Sequence, residues 1–146
     1  RKSKQILNND LYFFNFPIAI NHFVTFDKKV YETTDKMDQS KKIAEDQDIY
    51  LKMYEKGMVK HIPEANYLYR AHPGGISQND NKKKSYEYWA EVIYSAMKRR
   101  NIKKINGVAI PESYPGSETV FKLLEYQNGI PYRIKKKIRI LLQNIF

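Results

Sequence analysis

The amino-acid sequence predicts an α/β fold, and three observations predict it. Residues 44–56 repeat apolar side chains at helical spacing between a start and a stop signal. Two short segments, 58–62 and 66–71, then alternate about a Pro63-Glu64-Ala65 turn and read as strands. A second amphipathic helix follows over 85–100.

Each element has its local reason. The chain opens polar and basic, then turns apolar through Leu11 to Ile18, where Pro17 argues against a central strand. Residues 22–26, His-Phe-Val-Thr-Phe, read as a short strand, and Val30 and Tyr31 either continue it or begin a short helix. Residues 33–42 are polar and read as a loop. In the 44–56 helix, Ile49 and Met53, with Tyr50 and Tyr54, supply the apolar spacing. Glu45, Asp46 and Asp48 occupy the first turn, where the helix dipole favours negative charge, and Gly57 is expected as a left-handed cap.

On the 66–71 strand, Leu68, Arg70 and His72 share one face and Tyr67 and Tyr69 the other. Pro73-Gly74-Gly75 ends it in a loop that exposes backbone N–H groups, and residues 77–84 stay polar. The 85–100 helix carries Tyr88, Trp89, Val92, Ile93, Ala96 and Met97 on one stripe. Residues 101–117 read as a loop with Gly107, Pro111, Pro115 and Gly116. A third helix is expected over 117–128, with Ser117 as N-cap and Gly129 as stop. Pro131 opens a basic helix to Phe146. There is no internal repeat or low-complexity tract.

Composition narrows the function classes. At 146 residues the chain suits one domain with a real core. It has no cysteine, which excludes disulfides and cysteine metal sites and fits a reducing, cytoplasmic compartment. No apolar run approaches the roughly 20 residues of a membrane span. It opens at Arg1 and reads as a piece of a longer protein. With 26 basic against 16 acidic residues it carries a formal charge of +10, which attracts phosphates: nucleic acid, lipid headgroups or sugar nucleotides. The 12 tyrosines suit half-buried sheet and helix surfaces. No Ser-His-Asp arrangement and no zinc-ligand spacing is present, and His22 and His61 read as structural.

One block carries chemistry. It runs Ala44-Glu45-Asp46-Gln47-Asp48-Ile49-Tyr50-Leu51 through Gly57 and Ile62-Pro63 to Tyr69-Arg70-Ala71-His72-Pro73-Gly74-Gly75-Ile76-Ser77. It resembles the second half of family-2 inverting glycosyltransferases of the GT-A fold. There a Glu-Asp pair opens a helix ending in glycine, followed by an Ile-Pro strand, a Tyr-Arg-x-His segment and a Gly/Ser loop. The stretch Asn21-His22-Phe23-Val24-Thr25-Phe26-Asp27 resembles the strand before the base loop. The resemblance covers residues 21–77, under half the chain.

The resemblance implies a partial GT-A (nucleotide-diphospho-sugar transferase) fold over residues 1–80, with a helical C-terminal extension over 81–146. It implies hexosyl-type transfer from a nucleotide-sugar donor to a glycan or lipid-linked acceptor, in bacterial cell-envelope polysaccharide synthesis, by an enzyme inactive as this piece alone. Asp46 matches the base, and Glu45 would orient the base or the acceptor. Inverting transfer needs a carboxylate within hydrogen-bond reach of the acceptor hydroxyl, and an anion there also stabilises an oxocarbenium-like transition state. Arg70 and His72 would approach the donor diphosphate or its metal, with Gly74, Gly75 and Ser77 closing over the phosphates. A divalent ion, magnesium or manganese, is expected in the complete enzyme. Asp46-Gln47-Asp48 spells the metal-binding Asp-x-Asp pattern, but it enters a helix rather than ending an apolar strand, so it is not read as the metal motif. His72 is the metal candidate, and the main motif falls outside this chain.

The segment 133–146 is a basic amphipathic helix. Ile134, Ile138, Leu141, Leu142 and Ile145 fall on one face, and Arg133, Lys135, Lys136, Lys137 and Arg139 lie largely off it. It suits an anionic membrane surface at the inner membrane, or packing on the domain with its basic side in water. Two other classes fit the composition: a basic nucleic-acid-binding module, for which no recognition motif is present, and a non-catalytic membrane-surface domain.

Overall fold

The computed structural model describes residues 24–41, 43–62, 64, 81–124, 130, 131, 134 and 138. They form a mixed architecture in which helices dominate and one small antiparallel sheet is added. The first helix, α1 (Lys28–Glu32), starts where the Asp27 Oδ1 accepts the Lys29 N–H at 2.8 Å, a side-chain cap. It resolves the choice at Val30 and Tyr31 in favour of a helix. Residues 24–26, expected in a strand, are irregular and exposed. Asp27, itself in extended backbone, caps the helix immediately afterwards.

The helix α2 (Glu45–Lys56) matches the expected helical span. Its start is unusual: Ala44 stands at N-cap with φ 64° and ψ 19° and makes no side-chain cap. Its stop departs from expectation. Gly57 is extended, with φ −149° and ψ 175°, not left-handed, and its N–H bonds the Met53 carbonyl at 3.0 Å. A Cβ at Gly57 would come 3.4 Å from Val30 Cγ1, an ordinary contact distance, so the end of α2 lies against α1. Residues 58–62, expected as a strand, are irregular, although exposure alternates from Met58 to Ile62. The expected partner strand, 66–71, lies outside the described residues.

The helix α3 (Asn81–Arg99) begins earlier than expected, within the polar 77–84 stretch. Its end is a Schellman motif. Asn101 sits at φ 53°, the Ile102 N–H bonds the Met97 carbonyl and the Asn101 N–H bonds that of Lys98, each at 3.0 Å. The 101–117 stretch, expected as loop throughout, holds a hairpin of β1 (Lys104–Ile105) and β2 (Val108–Ala109), in register Lys104 to Ala109 and Ile105 to Val108. Asn106 and Gly107 turn it, both at positive φ, 50° and 83°, as a tight hairpin loop requires.

The helix α4 (Ser117–Leu123) begins after Gly116, which takes the N-cap place expected for Ser117. A side chain from α3 does the capping: Glu87 Oε1 accepts the Ser117 N–H at 3.3 Å and the Tyr114 hydroxyl at 2.7 Å. The C-cap is Leu124; the rest of the 117–128 helix and Gly129 lie outside the described residues.

The core sits around α3. Ala90, Val92, Ile93, Tyr94, Ala96 and Met97 are buried with Leu51 and Tyr54 of α2, Ile105 of β1, and Val120, Leu123 and Leu124 at α4. Trp89 packs at its edge. Ala90 is buried beyond the expected stripe where α3 packs against α2 and α4 at once, and Tyr94 where the 111–114 loop covers it, its ring edge-on to Tyr114. Tyr94 settles its hydroxyl by donating to the carbonyls of Pro111 and Glu112, at 2.9 and 2.7 Å. No helix of the described residues is long and apolar enough to cross a membrane.

Candidate functional site at the head of the second helix

Asp46 lies in the first turn of α2 and is exposed. Its Oδ1 accepts the Gln47 N–H at 2.7 Å, one of the donors that a helix start leaves without an intrahelical partner. That bond ties the carboxylate to the backbone. Tyr50, one turn on, is half-buried. Its phenol is pushed above the ordinary 10.0, first by burial and then by the Asp46 charge. A neutral hydroxyl therefore stands beside the carboxylate at pH 7. Glu45, the adjacent candidate, is half-buried.

Asp48 is built differently. It is 1% exposed, and its Oδ2 meets Lys52 Nζ at 2.6 Å while Oδ1 stands 3.6 Å from Arg99 Nη1. Lys52 Nζ also donates to the Lys36 carbonyl at 2.9 Å. Arg99 grips Glu55 with two hydrogen bonds of 2.9 Å, from Nε and Nη2. This chain of charges joins α2, the end of α3 and the loop at Lys36. Positions two apart on a helix face different ways, and here one carboxylate is in water and the other in an ion pair. Asp46 and Asp48 do not form a paired cation site. Among the described residues no group of three or more His, Asp or Glu side chains converges as a metal site.

A groove of about 760 Å³ opens at the opposite end of α2, lined in part by Thr33, Lys52, Glu55, Gly57, Arg99 and Arg100. Its α2 wall runs from Lys52 to Gly57, about 9 to 16 Å along the helix from Asp46, at roughly 1.5 Å per residue. Lys52, Glu55 and Arg99 on its wall are engaged with each other or with Asp48, so much of its charge is already neutralised.

The structure thus brings Glu45 and Asp46 together at one helix head. Arg70, His72, Gly74, Gly75 and Ser77, expected at the donor diphosphate, lie outside the described residues, as does the His72 metal position. Sequence reasoning did not find Lys52, Glu55 and Arg99. The signal for the first was present as an acid and a base four apart, Asp48 and Lys52. Arg99 is remote in sequence, and only packing reveals it.

Comparison with models of known families, with curated proteins and with solved structures finds no match for this chain.

Proposed function

We propose that the chain is the acceptor-side half of an inverting sugar-nucleotide glycosyltransferase with a partial GT-A fold, in which Asp46 is the general base. One observation supports this most: the exposed Asp46 carboxylate in the first turn of α2, tied to the helix backbone through Gln47. The helix beneath it is fixed to α3 by the Asp48, Lys52, Arg99 and Glu55 charges. A base must hold its position to about the length of a hydrogen bond, and this anchorage supplies that.

The chemistry runs as one displacement. The acceptor hydroxyl oxygen attacks the anomeric carbon and gives its proton to Asp46. The bond from that carbon to the diphosphate oxygen breaks, and its electron pair leaves with the nucleoside diphosphate. The Asp46 charge faces the oxocarbenium-like centre and lowers its energy. Glu45 orients the base or the acceptor. Arg70 and His72, with the Gly74, Gly75 and Ser77 loop, offset charge building on the departing diphosphate. In the complete enzyme a divalent ion, for which His72 is this chain's candidate ligand, would supply Lewis-acid help to that departure, and Asp46 keeps its role as base.

The test is Asp46→Asn in the complete enzyme, assayed for sugar transfer and, by calorimetry, for donor binding. Asn keeps the shape and can accept the Gln47 N–H, but it cannot take a proton. Transfer should fall by about 10²–10⁴ with donor affinity nearly unchanged. Turnover above about a tenth of wild type rejects Asp46 as the base.

A further inference from the structure

Ile130, Ile134 and Ile138 lie in helical backbone and are 73%, 55% and 52% exposed. Their spacing places them on one stripe over successive turns. A single exposed isoleucine is ordinary, whereas an aligned row of them is a surface that needs cover. In the sequence, Leu141, Leu142 and Ile145 continue the same spacing, and Arg133, Lys135, Lys136, Lys137 and Arg139 are interleaved with it.

We infer that this isoleucine stripe and the cations around it dock the chain on an anionic lipid surface, with the helix lying in the interface plane. The occupant follows from two demands made at one place. The cations, on a chain of net charge +10, select a negative surface. The stripe selects something apolar beneath that surface. Nucleic acid answers the first demand and leaves the isoleucines wet. An anionic bilayer answers both, with headgroups for the lysines and arginines and acyl chains for the isoleucines. The lysine and arginine stems can lie along the stripe's flanks while their charges reach the headgroups. This inference does not rest on the glycosyl-transfer reading.

The experiment is sedimentation of the full chain with two kinds of vesicle, phosphatidylcholine alone and phosphatidylcholine with about 30% phosphatidylglycerol. Binding should require the anionic lipid and weaken, without vanishing, as salt rises. Ile134→Glu with Ile138→Glu should weaken it at least about tenfold. Lys135→Gln with Lys136→Gln should weaken it about twenty-five-fold at low salt, each lysine contributing about fivefold. Both pairs should melt at the wild-type temperature. Equal binding to neutral and anionic vesicles overturns the inference. So does undiminished binding by the isoleucine variant, with a duplex oligonucleotide competing, which would assign the cations to nucleic acid. A melting temperature lowered by several degrees in the isoleucine variant also overturns it, whatever that variant binds, because the stripe would then be a face of the protein's own core.

Discussion

Arg99, at the end of one helix, closes a two-pronged bond on Glu55 of another, with both nitrogen–oxygen distances at 2.9 Å. The same guanidinium reaches Asp48 at 3.6 Å, so a single side chain holds two acids of α2 against α3. Its planar fork gives Glu55 two parallel bonds and still reaches Asp48, whereas a lysine ammonium acts as a single point of charge.

The two neighbouring aspartates of α2 should therefore separate in a stability measurement. Asp48→Asn leaves Lys52 and Arg99 in a buried site without their shared anion and should cost roughly 3–5 kcal/mol. Asp46→Asn changes an exposed group and should stay within about 0.5 kcal/mol of wild type. Urea unfolding of both variants checks this. Equal stabilities would mean that the Asp48 ion pair contributes nothing net.

Much of α2 is legible from sequence, but not which of its sides is buried. Asp48, Lys52 and Glu55 fall at i, i+4 and i+7, a charged row that ordinarily faces water. Here they face inward, because each charge finds its opposite, and Leu51 is fully buried among them. In α3 the Val92, Ile93, Ala96 and Met97 stripe is legible, whereas Ala90 and Tyr94 depend on a second packing surface that periodicity cannot report. The hairpin strands are two residues each, too short to alternate, and Asn106-Gly107 is the signal that marks them. Of the candidate site, the first-turn place of Glu45 and Asp46 is legible, since acids collect at helix starts. The anchorage beneath it is not.

Glu87 should make stability depend on acid. Its carboxylate is held below the ordinary 4.5 by hydrogen bonds from Ser117 and then Tyr114. A depressed carboxylate stabilises the fold fully above the unfolded value, and that contribution is lost as pH falls through the folded value. Glu87→Gln should melt below wild type at pH 7. The gap should close as pH falls through the lowered folded value of Glu87, and the comparison isolates Glu87 from the other carboxylates that titrate in acid. A gap that stays constant over this range would mean that its charge plays no part in capping α4.

Gly107 tests the hairpin turn. A Cβ there would meet nothing within 4 Å, yet φ is 83°. The cost of Gly107→Ala is therefore one of backbone conformation alone, about 1 kcal/mol. Asn106 should matter for a second reason, since its Nδ2 donates to the Leu123 carbonyl at 3.0 Å and so closes the end of α4. Asn106→Ala should lose a further fraction of a kcal/mol to about 1.5 kcal/mol. Chemical denaturation of both variants reads these costs, and a neutral Gly107→Ala would contradict the left-handed turn.

Ala44 offers a test at the candidate site itself. It holds φ 64°, where an L-residue costs roughly 1–2 kcal/mol, and it does so immediately before Glu45 and Asp46. Glycine adopts that conformation freely but loses more chain entropy on folding, and here it would also forfeit the packing of the Ala44 methyl on the core. The balance predicts that Ala44→Gly stabilises the protein by about 0.5–1 kcal/mol. Destabilisation in a denaturation curve would mean that the methyl's packing outweighs the backbone cost. The same variant in the complete enzyme asks what the strain is for. A relaxed Ala44 lets the helix head sample more orientations, and Asp46 moves with it. On the general-base reading, turnover should therefore fall while donor binding and stability do not. Unchanged turnover in a stabilised variant would mean that the strain serves only to start the helix, and that Asp46 is positioned by the Arg99 anchorage alone.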